Sequence, residues 1–544
     1  MSLQPPRRPD GQGADAQTPR RTDAREDVPA HRRVGAPAPH RPLRRVLVAN
    51  RGEIALRVVR ACREEGIESV AVYSEPDRLA AHVRAADRAI WIGAAPAAES
   101  YLRIDKLIDA ARKTEADAIH PGYGFLAERA DFAAAVADAG LIFIGPPASA
   151  IAAMGEKTEA RRRMRAAGVP VVPGVVEPLA TVEALVRAAR EIGFPVLLKA
   201  AAGGGGRGMR IVRAEADLAG AFAAAQGEAL KAFGDGRVYL EKLLERPRHV
   251  EIQVLGDAHG RVVHFGEREC SVQRRHQKLI EESPSVAVDA DLRARMGAAA
   301  VRAAAAVGYQ SAGTCEFLLA PDGAFYFLEM NTRLQVEHPV TELVYGLDLV
   351  RQQFRVARGE PLAPPPWSAD PRGWAIECRI TAEDPFAEFL PAGGTIHYLR
   401  VPSGPGVRWD GWIEPGTEVP LHYDSLLGKL VVWAGSRERA VERMARALDE
   451  LVVVGVPTSR EFCQRVMAEP SFRRGDIDIE YWERVGRGLM ARVPAANLVA
   501  AAAIAATLLE EDDRGHRVGR RTAAAADAAA SPWLAAARRE GRRS

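Results

Sequence analysis

Long apolar runs are missing from this 544-residue chain. The nearest approach, Leu498 to Leu509, is short, Ala-rich and followed by Glu510-Glu511-Asp512-Asp513, so no stretch has the length of a membrane-spanning helix. Cysteine is scarce as well. Cys62, Cys270, Cys315, Cys378 and Cys463 stand far apart with no C-x-x-C spacing. That excludes a disulfide framework and a structural zinc site, and it fits a reducing compartment. Nor is there an excess of one charge: 74 basic and 71 acidic residues leave a formal net charge of +3, which argues against nucleic acid as a partner. The first 42 residues lack the apolar core of a secretory signal and carry too many acids for a transit peptide. They read as a disordered tail on a cytoplasmic protein.

What remains is an ordinary globular composition, 47% hydrophobic and 27% charged, long enough for two to four domains. Arg44 to Asn50 reads as a strand, followed by a helix to about Glu65 and a second strand at Ser69–Tyr73. Further strands fall at 118–120 and 141–144, and Pro121-Gly122-Tyr123-Gly124 forms a loop at a strand's C-terminal edge, where open α/β sheets hold ligands. The first turn carries Asn50-Arg51-Gly52-Glu53 in place of G-x-G-x-x-G, which disfavours a dinucleotide site. A basic helix from Lys157 to Gly168 leads through the Pro-rich joint 169–174 into a small subdomain. A helix near 181–192 and the strand 194–199 belong to that subdomain.

Three features carry chemistry. Gly203-Gly204-Gly205-Gly206-Arg207-Gly208 lies between Lys199 and Met209. It lacks the Gly-Lys-Ser/Thr of a Walker A loop, and it reads as a mobile phosphate cover whose backbone amides approach oxygens closely. Asp322-Gly323 predicts a hairpin. With a two-residue turn, paired residue numbers sum to 645, which sets Glu316 opposite Glu329. Facing carboxylates repel unless a cation bridges them, so a Mg²⁺–ATP site is expected there. Finally, Phe327 to Pro339 alternates: Glu329, Asn331, Arg333, Gln335 and Glu337 share one face, with Leu328, Met330, Leu334 and Val336 on the other. The polar face has the makings of a metal, an anion and a base.

Taken together, the motifs closely resemble biotin carboxylase, a member of the ATP-grasp superfamily. The resemblance rests on 48–55, His120 to Leu126, Phe143 to Pro146, Met154 to Lys157, Lys199 with the glycine run, Glu245 to Gln253, Gln273 to Lys278, 327–339, Glu377 to Ile380 and Tyr423 to Leu430. It spans about 43–485. The implied fold is α/β (α+β): a Rossmann-like parallel-sheet domain at 43–156, an ATP-grasp domain at 157–360 with its lid at about 172–243, and a mixed C-terminal domain at 373–485. A disordered tail at 1–42 and an Ala-rich helix with a low-complexity tail at 494–544 flank these.

The implied reaction is ATP-dependent carboxylation of biotin by bicarbonate through carboxyphosphate, with Mg²⁺ or Mn²⁺. By the family's pattern ATP is held by Lys157, Lys199, Gly204, Gly205, Gly206, Met209, Glu241, Lys242, Leu244, His249, Gln273, His276 and Leu318. Glu316, Glu329 and Asn331 hold the metal; Lys278, Arg333, Gln335, Val336 and Glu337 hold bicarbonate; Tyr123, Arg333 and Arg379 line the biotin pocket. Glu337 is the expected base and Arg333 the stabiliser of the biotin enolate, with Lys278 and Arg379 completing the catalytic set. A carbamoyl-phosphate synthetase-like half would share the carboxyphosphate chemistry, but the pairing of Arg333/Glu337 with Tyr123/Arg379 points away from it. A non-catalytic scaffold would have lost one of these residues, and none is lost. No Ala-Met-Lys-Met sequence for attaching biotin occurs and nothing resembles a carboxyltransferase. The expected partners are therefore a biotin carrier protein or domain and a carboxyltransferase on other chains, with the subunit itself a homodimer.

Overall fold

A parallel sheet opens the structure, a computed structural model that describes residues 41–175, 179, 181–200, 209–233, 237–362, 370–491, 503–507 and 510. β1 (Arg45–Val48) runs parallel to β2 (Glu68–Ser74) and β4 (Ala118–His120). With β3 (Arg88–Gly93) and β5 (Ile142–Phe143) the order is β3-β2-β1-β4-β5. Val46, Leu47, Val48, Val70, Val72 and Ile119 are buried, as a parallel sheet covered on both faces requires. Helix α1 (Gly52–Glu64) leaves the C-terminal end of β1. There Asn50 Nδ2 donates to Pro121 O (2.8 Å) and Tyr123 O (2.7 Å), which fixes the 121–124 loop. Gly122 has φ +65°, and a Cβ on it would stand 2.8 Å from that Asn50 nitrogen. Glycine is required at this position.

α2 (Lys157–Ala166) leads to the joint. Phe327 N donates to Pro170 O and Lys242 N to Pro173 O, so the joint lies between a three-stranded antiparallel sheet and the larger one. The small sheet has the order β7-β6-β8, with β6 (Val196–Ala200), β7 (Met209–Val212) and β8 (Val238–Lys242). The glycine run, including Gly204, Gly205 and Gly206, lies outside the described residues. So do 1–40, the 363–369 part of the linker and most of 494–544, where 503–507 are helical.

The site is organised by an eight-stranded sheet. Its strands are β9 (Arg248–Gly256), β10 (Val262–Arg274), β11 (Gln277–Ser283), β12 (Ser311–Leu319), β13 (Phe325–Asn331), β14 (Trp374–Thr381), β15 (Val407–Gly411) and β16 (Leu426–Ala434). The order is β13-β12-β9-β10-β11-β14-β16-β15. The strands after residue 373 therefore continue the sheet begun at β9, through the antiparallel pair β11/β14. That continuity puts Arg379 beside the β11 residues. No described helix is long and apolar enough to cross a membrane.

The hairpin expected at Asp322-Gly323 is present, with Glu316 opposite Glu329, but by a different route. The loop has three residues, since Ala320 N donates to Ala324 O. Near the turn the pairs Leu319/Phe325, Leu318/Tyr326 and Phe317/Phe327 sum to 644. A bulge at Leu328 then restores 645 from Glu316 onward. The extra residue puts Leu328 in the cleft beside Glu329, against the simple alternation. The strand also ends at Asn331. Beyond it the backbone is irregular, and Val336, assigned by alternation to the opposite face, lines the cleft too.

Candidate active site

Above the eight-stranded sheet lies a cleft of about 1200 Å³. That is larger than one small molecule needs and suits two substrates side by side. Among the described residues, its lining includes Tyr123, Lys157, Lys199, Glu241, His249, Gln273, His276, Lys278, Glu316, Leu318, Glu329, Asn331, Arg333, Gln335, Val336 and Arg379, all singled out from the sequence. Leu244 does not line it. Lys242 turns its ammonium away, to Gly193 O and Phe194 O, each at 2.9 Å. Met209 is the first residue of β7.

Lys278 is the hub. Its Nζ donates to Glu251 (2.6 Å), Glu316 (2.9 Å) and Glu337 (2.7 Å), one from β9, one from β12 and one from the turn before helix α3 (His338–Tyr345). Three buried carboxylates around one ammonium require further cations. Arg268, fully buried on β10, binds Glu251 at 2.5 Å and Gln253 at 2.8 Å. Arg379 on β14 binds Glu337 at 2.9 Å and Glu281 at 2.6 Å. Burial opposes the charge on Glu337, yet Lys278, Arg379 and Arg268 hold its carboxyl well below the usual carboxylate range. Glu337 is 0% exposed and lies behind the two cations that line the cleft, rather than lining it itself.

Glu316 collects donors in the same way: Asn331 Nδ2 at 2.8 Å and Gln335 Nε2 at 3.1 Å. His249 Nε2 is 3.0 Å away, an ion-pair distance without hydrogen-bond alignment. Burial disfavours both charges, but Lys278 and His249 pull the Glu316 carboxyl down and Glu316 raises His249. Glu329 behaves oppositely. Burial and the neighbouring Glu316 push its carboxyl up. Two facing carboxylates, one already pushed toward its neutral form, form a donor set that a hard divalent cation fits.

Arg333 is braced on three sides, by Glu128 (2.9 Å), Gln335 (2.8 Å) and Asn331 (3.0 Å). Its planar guanidinium is thus fixed beside the cleft. At the joint, Lys199 of the small sheet and Arg161 of α2 both bind Glu241. Tyr123 donates to Glu53, whose other neighbour is Lys429 Nζ at 3.0 Å. Lys429, 0% exposed on β16, also donates to Val336 O at 2.9 Å.

Sequence reasoning missed Glu251, Arg268, Glu281, Lys429, Glu53 and Glu128 as parts of the site. Glu251 had a signal, sharing the strand face of His249 two residues before it. Glu281 had none, and Lys429 lies in the 423–430 stretch without a role that the stretch itself reveals, because both roles depend on which strand lies next to β14.

Sequence profiles of three families match the chain in order. They are the biotin carboxylase N-terminal domain at 42–151, the carbamoyl-phosphate synthase L chain ATP-binding domain at 156–364, and the biotin carboxylase C-terminal domain at 377–484. A biotin carboxylase of Nostoc is 52% identical over 443 residues, covering 81% of this chain and 99% of that protein. Biotin carboxylase 1 of Bacillus subtilis is 49% identical over 442 residues, covering 81% and 98%. Among solved structures, the Campylobacter jejuni biotin carboxylase–βγ-ATP complex superposes with a TM-score of 0.75 at 49% identity, covering 81% and 99%. The biotin carboxylase domain dimer of Hydrogenobacter thermophilus 2-oxoglutarate carboxylase, with MgADP, ADP and bicarbonate, gives a TM-score of 0.76 at 47% identity, covering 84% and 100%. With these matches and this cleft, the chain belongs to the biotin carboxylase family of the ATP-grasp superfamily.

Proposed function

We propose that the chain is a biotin carboxylase subunit, which uses ATP and bicarbonate to carboxylate biotin carried on another protein. The observation that supports this most is the ordering of charges around Lys278: a buried carboxylate base, Glu337, held between two cations that face a two-substrate cleft. At one end Lys157, Lys199, Glu241, His249, Gln273, His276 and Leu318 surround ATP, joined by Gly204, Gly205, Gly206 and Met209. Lys242 and Leu244 do not line the cleft, and any contact they make with ATP would be through backbone atoms at the end of β8. Glu316, Glu329 and Asn331 would hold Mg²⁺ or Mn²⁺, which supplies charge neutralisation to the phosphates.

Bicarbonate sits on Lys278, Arg333, Gln335 and Val336. In free enzyme Lys278 and Arg379 make Glu337 a weak base. An anion placed on the same cations shares their charge and strengthens it. Glu337 takes the bicarbonate proton and the oxyanion attacks the γ-phosphorus, displacing ADP and leaving carboxyphosphate. Cleavage of its C–O bond gives CO₂ and phosphate. The phosphate takes the N1′ proton of biotin, Arg333 stabilises the enolate oxygen, and the N1′ electron pair forms the new bond to CO₂. Tyr123 and Arg379 line the biotin pocket.

In this reading the subunit works in the cytoplasm as a homodimer, and a carboxyltransferase on another chain selects the final acceptor. ATP hydrolysis that requires bicarbonate and rises with free biotin is the expected result for the purified chain. ATP binding without turnover would instead favour a scaffold that keeps the fold.

A further inference from the structure

Behind Arg379 lie two acids that the reaction above does not use. Glu281 on β11 and Glu377 on β14 are directly opposed in the sheet, and each is 0% exposed. Glu281 Oε1 accepts a hydrogen bond from Arg379 Nε at 2.6 Å and lies at ion-pair distance, also 2.6 Å, from Nη2, so one edge of the guanidinium converges on one oxygen. The same Nη2 reaches Glu337, and Nη1 takes part in neither contact. Glu281 Oε2 and both oxygens of Glu377 are buried with no hydrogen-bond partner.

The cations facing this pair are already engaged. Lys278 on β11 serves Glu251, Glu316 and Glu337, and Lys429 on β16 serves Glu53 and the Val336 carbonyl. Arg379 serves Glu281 and Glu337, and Arg268 on β10 serves Glu251. Glu337 adds a further negative charge from the turn before α3. Two carboxylates opposed across strands repel, and a buried carboxylate without a partner discharges by taking up a proton. Only Glu281 has a guanidinium edge to hold its charge.

We propose that Glu281 and Glu377 form a one-charge carboxyl pair, in which Glu281 is the positioning residue that aims Arg379 into the cleft and Glu377 remains an un-ionised acid. The role of Arg379 rests on the functional reading above; the protonation of Glu377 does not. Burial drives both acids upward. Glu281 is pushed up to about 7 despite Arg379, and burial takes Glu377 well above its ordinary value against the pull of Lys429 and Arg379. The two titrate as a pair. Below neutral pH Glu281 takes a proton, the guanidinium loses its charged anchor, and the biotin half-reaction slows.

The test uses the purified full chain with ATP, bicarbonate and free biotin between about pH 6 and pH 9. Misaiming Arg379 should cost Glu281→Gln about 10- to 100-fold in kcat/KM for biotin at about pH 8, with KM for ATP within about twofold of wild type. The acid limb near neutrality should vanish in Glu281→Gln and persist, displaced, in Glu281→Asp. Separately, the infrared difference between wild type and Glu377→Gln should contain the C=O stretch of a protonated carboxyl group, lost in the variant. Wild-type kcat/KM in Glu281→Gln, an unchanged acid limb, or no protonated-carboxyl band would each overturn the inference. A wild-type chain without biotin-dependent turnover would refute the functional reading instead, and the infrared arm would still decide the state of Glu377.

Discussion

Replacing Lys429 by Met tests whether a buried lysine outside the proposed catalytic set holds together the end of the cleft around Glu53, Tyr123 and Val336. The side chain is 0% exposed, with Nζ 3.0 Å from Glu53 and 2.9 Å from the Val336 carbonyl. At 3.0 Å and an effective dielectric constant of about 20, the attraction to Glu53 alone is about 5.5 kcal/mol, against which desolvation of both ions must be set. Methionine keeps most of the volume and strands the carboxylate, for which a cost of about 3–5 kcal/mol is expected. The unfolding midpoint should fall by about 3–5 °C at about pH 8. The pH dependence fixes the cause. Burial already raises the Glu53 carboxyl against the pull of Lys429, and the variant raises it further. A raised folded pKa gives stability that is present at low pH and lost as pH rises through it, so the deficit should be small near pH 5 and full near pH 8. Thermal unfolding at both pH values measures this. Equal deficits at both, or none at pH 8, would show that Lys429 does not compensate the Glu53 charge.

Two further outcomes are expected. Arg333→Ala should abolish biotin carboxylation, with ATP affinity within about threefold of wild type by calorimetry, because the guanidinium is braced beside the cleft where bicarbonate is proposed to bind; retained carboxylation would remove its assigned role. Glu342, 2.9 Å from Arg57 and 2.8 Å from Arg408, is held down to about 2 by these cations against the effect of burial. Its contribution of on the order of 3 kcal/mol is present above the ordinary carboxyl value and lost as pH falls toward 2. Glu342→Gln should therefore lower the unfolding midpoint at neutral pH and narrow the gap to wild type as pH falls.

Much of this molecule is legible in its sequence. The parallel sheet followed from strand–helix spacing alone. The Glu316/Glu329 pair was read correctly because a longer turn and a bulge at Leu328 offset each other, a cancellation that no local signal reveals. The same bulge, and the end of the strand at Asn331, placed Leu328 and Val336 in the cleft where alternation placed them away from it. The buried acids and the lysine behind the site were invisible for a different reason. Glu281, Glu377 and Lys429 become partners only because β11, β14 and β16 are neighbours, and that adjacency is a property of the fold.

On the proposed mechanism Glu337 turns bicarbonate into a nucleophile toward the γ-phosphate of ATP. Bicarbonate labelled with ¹⁸O, in a turnover short enough to limit exchange with water, tests it directly. Attack through carboxyphosphate leaves one bicarbonate oxygen on the phosphate, so singly labelled inorganic phosphate is expected by mass spectrometry. Unlabelled phosphate would mean that water attacks the γ-phosphorus, and would contradict it.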